Sequence, residues 1–447
     1  MTSSAPTAPS RPLAPREGQP TVLLLNPSGW GNLGDAAILD ATIQAIRSHW
    51  PSARIVGVTL APGDTEARHG IEGFLLAGRS LSGYGMIGRP ERGERPMGNR
   101  LPGVTRLWRI PFLRQPLRFV NDTALTLLAE PGHGREAARL VAGSDLVVAA
   151  GGGQLDEFWG GPWGHPFALY KWGRLARRAR VPFALISVGM CELETARARW
   201  LVRRAVGQAD YRSFRDKVSS RRAEALGLKA PLPVVPDLAY GIPLPRPAIP
   251  VGTGSARRVG VSPIAYRDPR VWPGGDPAFF SGYVQRLAAV VRGLLADGCE
   301  VSLFGTDWCD WAVVEDLRAV LTPAERAAVR VADTKSVSSL LEYLVGLDLV
   351  LASRLHGLLL AQRAGRPTIA LSYDLKVDTL MADMGLSHLC FPIANASADT
   401  LLAAYREMVP ELAAIQGRVM DRVEAYHGRV MAQFDQMFGT GGLLSRR

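Results

Sequence analysis

Thr21-Val-Leu-Leu-Leu-Asn26 runs directly into Pro27-Ser-Gly-Trp-Gly-Asn-Leu-Gly34, and Asp35 leads into the segment Ala36–Trp50. A short apolar run bounded by a glycine turn predicts a buried strand. The turn lets the backbone approach a ligand closely. Beyond it, Ile38, Leu39, Thr42, Ile43 and Ile46 recur at helical spacing. Strand, glycine turn and helix open an α/β sheet, and the alternation continues. Strands are predicted at Arg54–Leu60, Leu146–Ala150, Pro182–Val188, Tyr211–Arg215 and Leu232–Val235, with helical stretches between most of them. That order predicts a mostly parallel sheet covered on both faces.

The Pro-rich run Ile242–Pro250, with Gly252, Gly254 and Ser255 after it, reads as a linker. The pattern then restarts at Arg258–Ser262 and continues through Glu300–Gly305, Leu347–Ala352 and Thr368–Ser372. Leu401–Gln436 is helical and long enough to pack back across the domain boundary. The expected organisation is a disordered tail (1–20), an N-terminal Rossmann-like domain (21–241) with an insertion at about 79–120, and a linker (242–255). A second Rossmann-like domain (256–400) and C-terminal helices (401–447) follow. The fold class is α/β, two doubly wound domains facing a cleft, with ligands expected at the carboxyl ends of the strands.

A chain of 447 residues has room for two to three domains. With 47% hydrophobic and 21% charged residues it is globular, which excludes long disorder, collagen-like repeats and coiled coil. The apolar runs within Asp145–Ala150 and Leu347–Ala352 are far too short to span a membrane. Met1–Pro20 lacks the apolar core of a secretory signal. Cys191, Cys299, Cys309 and Cys390 stand singly, which suggests neither a disulfide framework nor a zinc site and fits a reducing cytoplasm. A formal charge of +11 points to anionic partners. The arginines at 174–180 and 197–204 read as solvated helix faces, so nucleic acid is not expected.

One region breaks the alternation. Arg79–Arg100 is dense in Gly, Pro and Arg, and it leads into Leu107–Val120, apolar with regularly spaced arginines. This is either a surface for lipid or a lipid-linked substrate, or a packed insertion with its arginines in water; Pro111 and Pro116 favour the insertion.

Four segments carry chemistry. In the first turn, Asp35 either caps the following helix or contacts a hydroxyl-rich substrate. In Ala149-Ala-Gly-Gly-Gly-Gln-Leu-Asp156, three glycines directly after a strand mark a backbone lying close to something. The continuation Phe158-Trp-Gly-Gly-Pro-Trp-Gly-His165 offers Trp159 and Trp163 to stack on a sugar, and Asp156 and His165 to bond its hydroxyls. In Ser213-Phe-Arg-Asp-Lys-Val-Ser219, Arg215 ends a strand and suits a carboxylate or phosphate, unless it pairs with Asp216. In Ser353-Arg-Leu-His-Gly-Leu-Leu-Leu360, Arg354 and His356 open a helix directly after a strand, where anions are favoured. His can exchange a proton near neutrality. Downstream, Leu371-Ser-Tyr-Asp-Leu-Lys376 carries one of only five lysines.

Taken in order, these motifs resemble the polysaccharide pyruvyl transferase family. The likeness comprises an N-x-G-N-x-G-D-like opening (Gly29–Asp35), Gly-Gly-Gly-Gln-Leu-x-Asp, F-R-D-x-x-S (Phe214–Ser219), Pro236-Asp-Leu-Ala-Tyr240, R-L-H-G and S-Y-D-x-K. It extends from Asn26 to Lys376; Trp30 is an addition to the opening motif.

The resemblance implies a two-domain fold similar to GT-B glycosyltransferases. It also implies transfer of pyruvate from phosphoenolpyruvate onto two hydroxyls of a sugar, in the biosynthesis of exopolysaccharide or another cell-envelope glycan. A cyclic ketal forms and phosphate leaves. On this reading the donor is held by Arg215, Arg354, His356 and Lys376. The acceptor, lipid- or polysaccharide-linked, meets Asn32, Gly34, Asp35, Gly152, Gly153, Gln154, Asp156, Trp159 and His165. His356 serves as acid, with Asp35 or Asp156 (or His165) as base. Neither cofactor nor metal is expected beyond phosphoenolpyruvate itself, and the place is cytoplasmic, in peripheral contact with the anionic inner membrane face. The alternatives are a glycosyltransferase of the same fold using a nucleotide sugar, and a non-catalytic sugar- or anion-binding relative.

Overall fold

The computed structural model describes residues 19–78, 114–158, 160–252, 257–272 and 274–438. Arg79–Arg100 and Trp159 fall outside these residues, as does the first half of Leu107–Val120. Among the described residues the strands form two six-stranded sheets.

The first contains β1 (Thr21–Leu25), β2 (Arg54–Thr59), β3 (Glu72–Leu75), β4 (Leu146–Ala150), β5 (Phe183–Val188) and β6 (Tyr211–Phe214), in the order β3-β2-β1-β4-β5-β6. The second contains β7 (Arg258–Ser262), β8 (Glu300–Leu303), β9 (Arg330–Val331), β10 (Leu349–Ala352), β11 (Thr368–Ser372) and β12 (Cys390–Pro392), in the order β12-β11-β10-β7-β8-β9. All pairings are parallel. Counted from its own first strand, each sheet is wound 3-2-1-4-5-6, so the winding reverses between β1 and β4 and again between β7 and β10. In open α/β sheets that reversal is where ligands bind, beyond the strands' carboxyl ends.

The helices are α1 (Leu33–His49), α2 (Pro62–His69), α3 (Arg114–Ala142), α4 (His165–Ala179), α5 (Ala196–Gly207), α6 (Lys217–Ala225), α7 (Pro277–Ala296) and α8 (Asp310–Ala319). They continue with α9 (Pro323–Ala328), α10 (Val337–Leu344), α11 (Leu355–Arg363), α12 (Leu375–Asp383), α13 (Ala398–Met408) and α14 (Leu412–Phe438). None of the described helices is long and apolar enough to cross a membrane.

Helices on both faces explain why β1, β4 and β5 are buried at every residue and read as unbroken apolar runs. In the first unit Leu23, Leu25, Val147 and Leu185 pack with Val141, Trp172 and Val202. Each such side chain contributes roughly 1.5–3 kcal/mol by leaving water. Trp172 Nε1 donates to Leu76 O at 2.9 Å. Beside it, buried Lys171 donates to Glu130 at 2.9 Å and faces His133 Nδ1 at 3.1 Å, which ties α3 to α4. Burial lowers the Lys171 pKa against the pull of Glu130.

Leu232–Val235, expected as a strand, is not one; only Val234 bridges to Phe214. Three edge strands, β3, β9 and β12, were not expected. They are two to four residues long, mostly exposed or half-buried, and lack the apolar run that marks a central strand.

Of the described residues, one compact unit takes those up to Trp30, Thr42–Asp237 and those from Gln433 onward. The other takes Gly31–Ala41 and Leu238–Ala432, so the opening of α1 is grouped with the second sheet.

Candidate functional site

At the first reversal the strand ends are joined by neutral groups. Asn26 is fully buried; its Nδ2 donates to Ala150 O and its Oδ1 accepts from Ser28 N, both at 2.8 Å. Gly151 and Gly152 turn the chain after β4 at φ 52° and 70°, a region that favours glycine. Gln154 Nε2 donates to the carbonyls of Leu25, Ala150 and Gly151 at 3.3, 3.2 and 2.7 Å. Gln154, expected to meet the acceptor, is thus buried with its amide N–H groups committed to backbone. Gly153 follows, and a Cβ there would lie 3.4 Å from Asp156 Oδ2.

Asp156 Oδ1 accepts from Phe158 N at 3.2 Å and lies 3.6 Å from His165 Nδ1. His165 opens α4 and is 2% exposed; among the described residues neither of its ring nitrogens has a hydrogen-bond partner, and buried Trp163 Nε1 likewise has none. Buried polar atoms are rarely left so. Asp156 and His165 therefore make a carboxylate–imidazole pair with unused hydrogen-bonding capacity.

Arg215 ends β6 in the same unit. Its Nη1 donates to Asp237 at 3.3 Å, its Nε is 3.6 Å from Asp216, and its guanidinium covers Gly189, where a Cβ would be 2.8 Å from Nη2. Burial opposes the charge, but Asp237 and Asp216 together hold the pKa above its ordinary value. The expected anion-binding arginine is thus already paired with two carboxylates.

At the second reversal the groups are charged. β10 ends in Ala352, and the fully buried Ser353 follows, its N donating to Ser262 O at 3.2 Å. Arg354 is the N-cap of α11 but provides no side-chain cap, so the first-turn N–H groups lack an acceptor from that side chain. Its guanidinium turns instead to the loop after β8. Nε donates to both oxygens of Asp310 at 2.9 and 2.8 Å, Nη2 donates to Cys309 Sγ at 2.8 Å, and Nη1 lies 3.3 Å from Asp307. Arg354 was expected as an open anion receptor; it is held by two carboxylates. A guanidinium has five N–H donors, so N–H donors remain on its terminal nitrogens, of the kind that carboxylates and phosphates accept.

Burial pushes the Asp310 carboxyl up to about 6, against the pull of Arg354 and aided by Asp307. Burial likewise pushes the Cys309 thiol up. Asp307, Cys309 and Asp310 were missed from the sequence. Their only signal there is Gly305-Thr-Asp-Trp-Cys-Asp310, a polar turn directly after a strand. The hydroxyls of Ser262, on β7, and Thr306, in this turn, are buried without hydrogen-bond partners among the described residues.

The opening of α1 completes this cluster. Asn32 Oδ1 accepts from Gly34 N and Asp35 N at 3.0 and 3.2 Å, so Asn32 is the capping residue and half-buried Asp35 sits in the first turn. Leu33 N donates to Thr306 O at 2.9 Å. Gly34 packs against the His356 ring, where a Cβ would come within 2.0 Å of Nδ1. Lys376 lies in the first turn of α12, beside α11, with Nζ 3.6 Å from Asp374 and 5.2 Å from the Tyr373 ring centroid.

The structure thus groups Asn32, Gly34, Asp35, Arg354, His356 and Lys376 in one unit, and Gly152, Gly153, Gln154, Asp156, His165 and Arg215 in the other. An arginine with N–H donors to spare, an imidazole and a lysine near strand ends suit an anion. A neutral glycine turn with a carboxylate–imidazole pair suits hydroxyls.

Comparison with known proteins agrees on the fold. A putative UDP-N-acetylglucosamine 2-epimerase from Listeria monocytogenes is similar at a TM-score of 0.58 and 11% identity, over 95% of this chain and 97% of that one. The Anabaena protein Alr3699/HepE, solved with UDP, is similar at 0.52 and 12%, over 96% and 100%. The glycosyltransferase SnogD from Streptomyces nogalater is similar at 0.50 and 15%, over 95% and 100%. At these identities the likeness is one of fold, two Rossmann-like sheets of GT-B type with a C-terminal helix. No curated protein sequence matches the chain. The profile of the polysaccharide pyruvyl transferases matches residues 32–374, which holds the α1 opening, the glycine turn, Arg215 and the Arg354–His356 turn, and so this chain belongs to the polysaccharide pyruvyl transferase family.

Proposed function

We propose that this transferase moves pyruvate from phosphoenolpyruvate onto two hydroxyls of a sugar in a polysaccharide or lipid-linked glycan precursor, without a further cofactor. The observation that carries this reading is the second reversal. There the remaining Arg354 N–H donors, the first-turn N–H groups of α11, and Lys376 offer several positive sites to an anion, with His356 in the same turn.

Phosphoenolpyruvate carries a carboxylate and a phosphate, and both need such partners. Protonation of its methylene carbon makes C2 electrophilic, and His356 is the acid. The first sugar hydroxyl bonds to C2; the phosphate–C2 bond then breaks, and the second hydroxyl closes the ketal. Of the two hydroxyl protons, one balances the proton gained by the methyl group and the other leaves with phosphate. Asp156, beside His165, is the base that accepts the first of them; Asp35, in the opening turn of α1, is its competitor for that role. The lipid- or polysaccharide-linked acceptor is met at the inner membrane face.

Phosphate release from phosphoenolpyruvate over a panel of sugar acceptors tests the reading, with wild type beside His356→Ala. Acceptor-dependent release that collapses in the variant is expected. Silence across the panel, with thermal stabilisation by nucleotide sugars and none by phosphoenolpyruvate, would overturn it in favour of glycosyl transfer.

A further inference from the structure

Helices α4 and α5 lie side by side in the first unit and contain no Asp or Glu. Their outer face exposes Arg174, Arg177 and Arg178 on α4 and Arg203 and Arg204 on α5. Among the described residues none of these five is ion-paired to a carboxylate, whereas several exposed arginines of the second unit are: Arg246 with Glu342 at 2.7 Å, Arg270 with Asp268 at 2.6 Å and Arg406 with Asp297 at 2.8 Å. Among the described residues the charge of this face is therefore not offset by ion pairs.

An aromatic stands in the middle of it. Trp200 is 49% exposed. Tyr170 packs against it with ring centroids 5.3 Å apart, and the Arg204 guanidinium lies 5.6 Å from its centroid. Arg174 Nη1 donates to Tyr170 Oη at 3.1 Å. Both rings thus have cationic tips beside them and an edge toward solvent.

We propose that this α4–α5 face is a docking surface for an anionic lipid bilayer. Arginine stems bury apolar length while their heads reach phosphates, and Trp and Tyr favour the boundary between headgroups and hydrocarbon. The two helices, about 22 and 18 Å long, present a surface of the right scale to lie on headgroups. A nucleic acid would satisfy the same charge, but Tyr170 packs against the Trp200 ring and the Arg204 guanidinium lies over it, contacts that compete with base stacking. The inference extends the proposed reaction by naming where the protein meets a lipid-linked acceptor, and its test separates the two.

The full chain is cosedimented with phosphatidylcholine vesicles with or without phosphatidylglycerol, at low and high salt. Binding is expected only with phosphatidylglycerol, falling with salt. Each arginine removed should lower partitioning about fivefold. Arg174→Glu with Arg177→Glu, and Arg203→Glu with Arg204→Glu, should therefore each release the protein. Trp200→Ser should weaken binding while leaving its salt dependence. Arg203→Gln with Arg204→Gln serves where charge reversal impairs folding, read by circular dichroism.

Equal binding to neutral vesicles, unchanged binding of the arginine variants, or displacement of vesicles by duplex DNA at matched phosphate would each overturn the proposal. Phosphate release with a water-soluble acceptor should be unchanged in all these variants. Vesicle binding as stated, with no release from the wild type, would sink the reaction alone.

Discussion

The two sheets share one winding and differ in what closes the reversal point. Between β1 and β4 the closure is neutral: Asn26 and Gln154 satisfy backbone carbonyls, and glycines make the turn. Between β7 and β10 it is ionic: Arg354 is clamped by Asp310 and Asp307, with His356 under Gly34. Topology fixes where a ligand can sit, and the side chains at the reversal decide which ligand. A neutral turn beside Asp156 and His165 suits hydroxyls; an arginine with N–H donors to spare suits an anion.

Several variants break or sharpen this contrast. His356→Ala should have the largest effect, lowering acceptor-dependent phosphate release by about 10²–10⁴-fold in kcat. Asp156→Asn should also lower kcat while leaving phosphoenolpyruvate affinity intact, as calorimetry would show; a large loss of donor affinity would erase the division between the units.

Next comes glycine geometry. Gly34→Ala drives a Cβ into His356, so the ring must move; overpacking of this kind costs about 1–3 kcal/mol. Activity should fall with it. Gly153→Ala meets Asp156 at an ordinary 3.4 Å and should be near neutral in thermal unfolding. Equal effects would mean that the close approach at His356 does not matter.

A pH dependence of intermediate size follows from Asp310. Its folded pKa is raised, so whatever stability it contributes is present at low pH and lost as pH rises through about 6. An anion on the Arg354 guanidinium adds a like charge beside Asp310, so it favours the protonated carboxyl. Sulfate, which does not titrate in this range, should bind more weakly as pH rises through about 6. Asp310→Asn should flatten that profile, and a wild-type profile that is already flat would remove Asp310 from the anion site.

The smallest functional effect belongs to Gln154→Ala. It frees buried carbonyls and should lower unfolding stability by about 1–3 kcal/mol, with donor affinity unchanged by calorimetry.

Much of this was legible beforehand. The central strands β1, β4, β5, β7, β10 and β11 declare themselves as apolar runs because helices bury both their faces. The Arg354–His356 turn is marked by falling directly after such a run. The edges β3 and β9 are short, lack a run of apolar residues and carry no such mark. Partnerships were harder to see. Nothing local reveals that Arg354 is held by Asp310, 44 residues away, or that Asn32 rather than Asp35 caps α1. Gln154 looks like a ligand-binding amide until its three carbonyl partners are found. Residue type and spacing place a group at a strand end; only the fold shows whether its hydrogen bonds are already taken.

The central claim is that the donor belongs to the second reversal. Amide hydrogen exchange with and without phosphoenolpyruvate tests it most directly. Protection is expected over Gly305–Asp310 and Ser353–Gly357, with Gly151–Asp156 unchanged until a sugar acceptor is added. Protection by phosphoenolpyruvate alone at Gly151–Asp156, with none at Ser353–Gly357, would contradict it.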